Sequence, residues 1–161
     1  MGHVHEYQSQ LRWSGSTAVG YDDYQRAHSL RLPPARGEWS LSSDPAFRGD
    51  AELPNPEQLL LGAVSSCQLL MFLALAARSR VDVLGYEDAA SADMPADETP
   101  MRITRIVLRP QILVVAGTRV DRVQRLVERA HEGCFVANTL NADVRVAATI
   151  TLSDATGGDS R

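Results

Sequence analysis

The sequence contains no lysine, and all 16 of its basic residues are arginine. Catalysis that needs a lysine amine, such as the Schiff base of a pyridoxal phosphate enzyme, is therefore excluded. The 20 acidic residues outnumber the arginines and give a net charge of −4. This acidic balance argues against nucleic acid or an anionic membrane as the main partner.

Cysteine is also scarce, with Cys67 and Cys134 as the only two residues of this type. The polar N-terminus, MGHVHEYQSQL, is unlike a signal peptide, so we expect a cytoplasmic protein. In a reducing compartment, two cysteines are more often buried thiols or a redox pair than a structural disulfide. No metal site is expected, because His3, His5 and His131 lack the further ligands that one needs.

A long apolar stretch, from Asn55 to Arg80, dominates what the sequence does contain. Asn55 is a good helix cap, Pro56 fits the first helical position, and Gln58 completes a capping box. Leucine, methionine and alanine then occupy nearly every side, which predicts a helix buried most of the way round. A membrane span is not expected, because polar residues leave an uninterrupted apolar part far shorter than the roughly 20 residues that a span needs.

The rest of the chain predicts strands on either side of a second helix. That helix is capped by Thr118, carries an apolar stripe at helical spacing, and ends at Gly133. The order of elements indicates one α+β domain over residues 1–153, followed by a disordered Gly/Ser/Asp tail over 154–161. Alternating polar and apolar residues predict the strands over 5–13, 24–32, 38–41, 81–86, 101–108 with a continuation at 112–115, and 144–152.

The two cysteines stand at unusual places in these predicted helices. Cys67 follows two serines, a polar notch in the middle of the apolar helix, and Cys134 directly follows the helix-ending Gly133. Two small buried hydrophobic residues are the plain interpretation. The end of a helix, however, is a position where a thiol can be presented rather than packed.

The motif NPEQLLLGAVSSC, followed later by AHEGCFVANTL, resembles the OsmC/Ohr family of thiol-dependent peroxidases over roughly residues 5–152. The segments YQRAH, SSDPAFRGD and CFVAN are most similar to the OsmC-like branch, and Phe135 stands where the better-known branch usually has proline. The resemblance implies an OsmC-like fold: curved antiparallel β-sheets packed around a long central buried helix, in an intertwined homodimer.

The resemblance also implies site residues. Cys67 matches the peroxidatic cysteine, which becomes a sulfenic acid, and Cys134 matches the resolving cysteine, which forms a disulfide with it. Because the thiolate is the nucleophile and apolar surroundings disfavour it, a cation must lie beside Cys67. The family implies an arginine held by a glutamate, and Glu57 matches that glutamate. Arg26 is favoured over Arg48, since a strand positions a side chain more firmly than a loop.

The spacing of Glu57 and Cys67 bears on assembly. Ten residues on one helix place them about 15 Å apart along its axis, too far for a Glu–Arg pair to serve the thiol of its own helix. If two such helices pack antiparallel about a two-fold axis, Glu57 of one subunit can lie near Cys67 of the other. We therefore expect a homodimer with shared active sites, as the family suggests.

The expected function is the reduction of organic hydroperoxides in oxidative stress defence, without metal or organic cofactor. Apolar walls from Leu59, Leu60, Met71 and Phe72 would favour an alkyl hydroperoxide, and an external dithiol, such as a lipoylated or thioredoxin-like protein, would reduce the disulfide. The alternative is a non-catalytic module of the same fold that binds a small hydrophobic ligand or senses redox state. The rate at which hydroperoxide consumes the two thiols discriminates between these hypotheses.

Overall fold

Nine strands and two helices make up residues 2–154, which are the residues described by the computed structural model. The chain divides into two units, residues 1–59 and 60–161, and the long helix α1 (Pro56–Arg78) continues from the first into the second. An α+β fold is thereby confirmed. The single domain over 1–153 stays a prediction, and the expected disordered tail lies outside the described residues except for Asp154.

The first unit contains an antiparallel sheet of three short strands, β1 (Gln10–Arg12), β2 (His28–Arg31) and β3 (Trp39–Leu41). The strands predicted over 5–13 and 24–32 are thus much shorter than expected. All three residues of β1 are exposed, so the alternation at the N-terminus has no core behind it in this unit and does not extend the strand.

Helix α1 begins with the predicted capping box. The Gln58 amide donates to the Asn55 side chain at 2.8 Å, and the Asn55 amide donates back to Gln58 Oε1 at 3.0 Å. The helix ends two residues before the predicted Arg80, which adopts the left-handed conformation with φ 55°. The Val81 amide then bonds to the Ala76 carbonyl at 3.0 Å, as in a Schellman motif.

Helix α1 has two contrasting sides. The inner stripe, Val64, Gln68, Phe72 and Ala76, is buried, whereas the outer stripe, Gly62, Ser66, Leu70, Leu73 and Ala77, is exposed. Leu70 alone is 63% exposed. The expectation of a helix buried most of the way round is therefore wrong for a single chain. By length and composition α1 could cross a membrane, but its inner stripe packs in a core. That α1 does not span a membrane stays a prediction.

The second unit contains two mixed sheets. One has the order β4 (Val83–Asp88), β7 (Pro110–Val114), β9 (Thr149–Leu152), and the other has the order β5 (Ser91–Asp93), β6 (Arg105–Leu108), β8 (Asp143–Val146). The outer pairs β7/β9 and β6/β8 are parallel, because the chain returns through helix α2 (Val120–Glu132) rather than through a hairpin. The resemblance implied antiparallel sheets, and this expectation is wrong for the second unit, whose two sheets each contain one parallel pair.

Two sequence predictions miss how strands divide between these sheets. The segment 144–152, predicted as one strand, changes sheet at Ala147 and Ala148, and Arg109 separates β6 from β7 in the same way. Strand β5 lies outside the predicted strands, and it is only three residues long and mostly exposed. Alternation continues through such a change of sheet, so it does not reveal the break.

Helix α2 covers the inner stripe of α1 and the sheet around β7. Its buried face, Val123, Leu126, Val127 and Ala130, shares a core with Phe72, Ala76, Ile112 and Val114. The Gln68 side-chain amide donates to the Val127 carbonyl at 3.2 Å. The helix starts after Arg119, without a side-chain cap, so the predicted cap at Thr118 is wrong, while its end at Gly133 is confirmed. The facing helices fix the positions of both cysteines.

Candidate active site

Cys67 lies at the boundary between the inner and outer stripes of α1. The residue before it, Ser66, belongs to the exposed stripe, and the residue after it, Gln68, belongs to the buried stripe. The Cys67 side chain is half-buried and lines a cavity on the surface of the second unit. A soluble oxidant can therefore reach this sulfur.

Cys134 has the opposite surroundings, with only 1% of its surface exposed. It lies two residues after Glu132, the last residue of α2, and its amide donates to the His131 carbonyl at 3.1 Å. The backbone amides of Ala137 and Val136 lie near its sulfur and act to lower the pKa of this thiol. The turn after α2 thus places two N–H groups near a thiol that is otherwise closed off from solvent.

The two thiols are free, and Cys67 lies close enough to Cys134 to influence the pKa of the Cys134 thiol. Burial raises the pKa of Cys134 above its ordinary value, and the neighbouring Cys67 raises it further. The amides of Ala137 and Val136 act in the opposite direction without cancelling that effect. A buried neutral thiol beside a half-exposed one can form a disulfide once the accessible sulfur has been oxidised.

The cavity beside Cys67 has a volume of about 640 Å³. Its floor is α1, through Ala63, Leu70, Met71 and Ala74, and Phe135 and Val136 form its other wall. Of the apolar walls expected from the sequence, Met71 lies here. Phe72 does not, because it belongs to the inner stripe and packs against Tyr86 with ring centroids 5.9 Å apart. Neither Leu59 nor Leu60 is among the described residues that line this cavity.

Arg26, the favoured activating arginine, lies in the first unit before β2 rather than on it. The expectation that a strand would hold it is therefore wrong. Its guanidinium donates to the carbonyls of Tyr21 and Tyr24 and stacks over the Tyr24 ring at 4.0 Å from the centroid. Together with His28 it lines a second cavity, of about 350 Å³. Aromatic stacking and backbone carbonyls replace the strand as its support.

Arg48 and Glu57 also lie in the first unit. Arg48 has a left-handed backbone, with φ 65°, and forms an exposed ion pair with Asp22 at 3.0 Å. Glu57 is half-buried in the first turn of α1. Within residues 2–154 it pairs with neither Arg26 nor Arg48. The roles of these three residues stay predictions.

Three polar atoms near the cysteines are buried without a partner in residues 2–154: Gln68 Oε1, Tyr86 Oη and His131 Nδ1. Burial raises the pKa of Tyr86, and the charges of Asp88 and Cys134 add to that effect. Sequence reasoning missed Gln68 and Tyr86. For Gln68 a signal was available, since this polar residue lies four positions from apolar residues on the same helical face. For Tyr86 there was none, because strand pairing within the sheet brings it to this region.

A model of the family described as OsmC-like protein matches residues 49–149. A curated relative, the uncharacterized protein YmaD of Bacillus subtilis (strain 168), is 21% identical over 110 residues, which cover 66% of this chain and 73% of YmaD. Residues 49–149, which the family model matches, contain α1, α2 and both cysteines.

Solved structures show the same fold. An OsmC-like protein of unknown function from Vibrio cholerae O1 biovar eltor is 25% identical with a TM-score of 0.81, covering 91% of this chain and 100% of its own. An organic hydroperoxide resistance protein from Legionella pneumophila is 15% identical (TM-score 0.69, covering 93% and 99%). One from Elizabethkingia anophelis is also 15% identical (TM-score 0.70, covering 95% and 100%). The expected OsmC-like fold is confirmed.

Proposed function

Because the chain belongs to the OsmC-like family, we propose that it is a thiol-dependent peroxidase that reduces organic hydroperoxides with Cys67 and Cys134. One observation carries the proposal: a half-exposed thiol on an apolar cavity lies next to a buried thiol. The names of two relatives of the same fold, both organic hydroperoxide resistance proteins, support the substrate class.

The reaction proceeds in two steps. The Cys67 thiolate attacks the terminal oxygen of R–O–OH, forming an S–O bond as the O–O bond breaks, and the leaving alkoxide takes a proton to become the alcohol. Cys67 is then a sulfenic acid. Cys134 attacks the Cys67 sulfur, the S–S bond forms, and the departing hydroxide takes the thiol proton and leaves as water. An external dithiol returns two electrons and restores both thiols while becoming a disulfide itself.

The surroundings of the two sulfurs suit this order of events. Cys67 meets the oxidant first because it lines the cavity, whereas Cys134 is 1% exposed and is shielded from it. The raised pKa of Cys134 keeps it neutral while Cys67 reacts. Two thiolates side by side would repel each other, and a neutral resolving thiol avoids that repulsion.

The cation that activates Cys67 is supplied, in this proposal, by a second subunit. Arg26, with Arg48 as the alternative, and Glu57 would act on the Cys67 of the partner in a homodimer. The part of the outer stripe of α1 that lies outside the cavity lining, with Leu73 37% exposed, supports a contact between two copies, since a monomer rarely leaves such a helix side uncovered. The partner of Glu57 would then come from the assembled dimer.

The cavity favours alkyl or aryl hydroperoxides over hydrogen peroxide, because most of its lining is apolar. The reductant is a dithiol in the cytoplasm, either a lipoylated or a thioredoxin-like protein. The proposal needs no metal or organic cofactor, because the sulfur chemistry supplies both electrons.

The direct test is steady-state consumption of cumene hydroperoxide by the purified protein with dihydrolipoamide, and separately with thioredoxin, as the reductant. Saturable turnover that is faster with cumene hydroperoxide than with hydrogen peroxide is the expected result. If the protein binds cumyl alcohol but consumes no hydroperoxide with either reductant, it is a binding module and the proposal is wrong.

A further inference from the structure

The cavity beside Cys67 has one charged residue in its lining, Arg78 in the last turn of α1. The remaining lining residues are apolar apart from Ser66 and Cys67 itself. Eleven residues separate Cys67 from Arg78, close to three full turns, so both side chains leave the helix on nearly the same side. The cavity is thus an apolar groove between a thiol and a guanidinium.

The guanidinium of Arg78 has no partner among residues 2–154 and can therefore bind a ligand. Five arginines of the second unit form ion pairs with aspartate or glutamate: Arg102, Arg105, Arg119, Arg125 and Arg145. Arg78, in contrast, has neither an ion pair nor a hydrogen bond to any residue between 2 and 154. A cation at the end of a helix is favoured by the helix dipole, but that effect alone does not place it in the lining of an apolar groove.

The length of the groove sets the size of the ligand. Cys67 and Arg78 are about 16 Å apart along the helix axis, comparable with the distance from the carboxylate of an extended long-chain fatty acid to a carbon in the distal half of its hydrocarbon chain. Leu70, Met71 and Ala74 form the floor between them, and Phe135, which is 74% exposed, stands on the opposite wall. An extended alkyl chain fits this lining better than a compact polar solute.

We propose that Arg78 is a specificity-determining residue that binds the carboxylate of an amphiphilic hydroperoxide while the peroxide group lies at Cys67. The inference rests on the proposed peroxidase function and adds an anionic head group to its substrate. A guanidinium binds a carboxylate through two parallel hydrogen bonds, and the apolar groove strengthens that pairing. Recognition at one end then positions the reacting oxygen at the other.

The test compares linoleic acid hydroperoxide with its methyl ester, which has the same chain and no charge. In Arg78→Gln, kcat/KM for the acid should fall about 10-fold or more, while the ester and cumene hydroperoxide keep their wild-type values. Arg80→Gln, two residues beyond and outside the lining, is the matched control and should change none of the three. Equal values of kcat/KM for the acid in wild type and Arg78→Gln, or equal losses for acid and ester, would overturn the proposal.

A binding measurement gives a readout that needs no turnover. Oleate should bind Cys67→Ser, and adding Arg78→Gln should weaken its Kd about 10-fold while methyl oleate binds both variants equally. If Arg78→Gln leaves oleate binding unchanged, the proposed role of Arg78 is wrong, whereas the proposed peroxidase function is not affected. A wild-type protein that reduces no hydroperoxide contradicts the proposed function instead, so the two failures are distinguishable. Circular dichroism of each variant checks that it is folded.

Discussion

The surroundings of Cys67 and Cys134 differ in almost every respect, although the two thiols are neighbours. Cys67 is half-buried in the middle of a 23-residue helix and lines a cavity. Cys134 is buried just after a shorter helix, with backbone amides near its sulfur. The difference comes from the backbone: a continuous helix places one thiol at the edge of its buried face, and a helix end folds the other inward.

This contrast teaches that two identical side chains can take different roles through access alone. In the proposed mechanism the half-exposed thiol meets the substrate, and the buried thiol meets only its oxidised neighbour. A hydroperoxide would then not oxidise both sulfurs independently.

Removing the accessible thiol should have the largest effect. Cys67→Ser should lower the turnover of cumene hydroperoxide at least about a thousand-fold, because the remaining thiol is shielded from the substrate. The assay is hydroperoxide consumption with dihydrolipoamide in excess. Retained turnover in Cys67→Ser would mean that Cys134 reacts directly with hydroperoxide and that the two roles are not divided.

Removing the buried thiol should leave one reaction per chain. In Cys134→Ser, one equivalent of cumene hydroperoxide should convert Cys67 to a sulfenic acid that persists, since its resolving partner is absent. Trapping with dimedone followed by mass spectrometry measures it, and the wild type treated in the same way is the control. An unmodified Cys67 in the variant would contradict the assignment.

Disulfide formation should accelerate with pH. Burial raises the pKa of Cys134, so its attacking thiolate becomes populated only at pH values above the range in which an exposed cysteine titrates. The rate constant for disulfide formation after sulfenic acid has formed should therefore rise about 10-fold for each pH unit below that pKa. Stopped-flow measurements between neutral and alkaline pH provide it. A rate that levels off at neutral pH would show that Cys134 is already ionised.

The smallest expected effect concerns Tyr86, which packs near the buried thiol. Its hydroxyl has no partner in residues 2–154 and its pKa is raised by burial. A raised folded-state pKa means that the unfolded chain releases its proton first, so the free energy of unfolding should fall as pH rises above about 10. Tyr86→Phe should raise that free energy by up to about 1 kcal/mol and reduce the alkaline loss. Urea melts at pH 7 and 10.5 measure both.

Much of α1 could be predicted from the sequence, because its signals are local. The capping box needs only Asn55 and Gln58, which are three residues apart, and the structure has both of its hydrogen bonds. The α+β fold and the start of the long helix follow from patterning of the same short range. The family motifs named the two cysteines, and the structure brings their side chains together.

The features that sequence reasoning missed depend on distant parts of the chain. Composition could not show which side of α1 stays uncovered, because large apolar residues occupy both the inner and the outer side. The change of sheet at Ala147 leaves the alternation intact, so β8 and β9 read as one strand. Arg26 is held by Tyr21 and Tyr24 through ring stacking and hydrogen bonds to their carbonyls. The segment that contains Arg26 is a loop, but its alternation of polar and apolar residues resembles that of a strand.

The central claim is that Cys67 and Cys134 act as one redox pair within a chain. Thiol titration after one equivalent of cumene hydroperoxide, with mass spectrometry of the non-reduced peptides, tests it most directly. The account predicts rapid loss of both thiols and a Cys67–Cys134 disulfide within a single chain. Slow loss of thiols, or a disulfide that joins two chains, would contradict it.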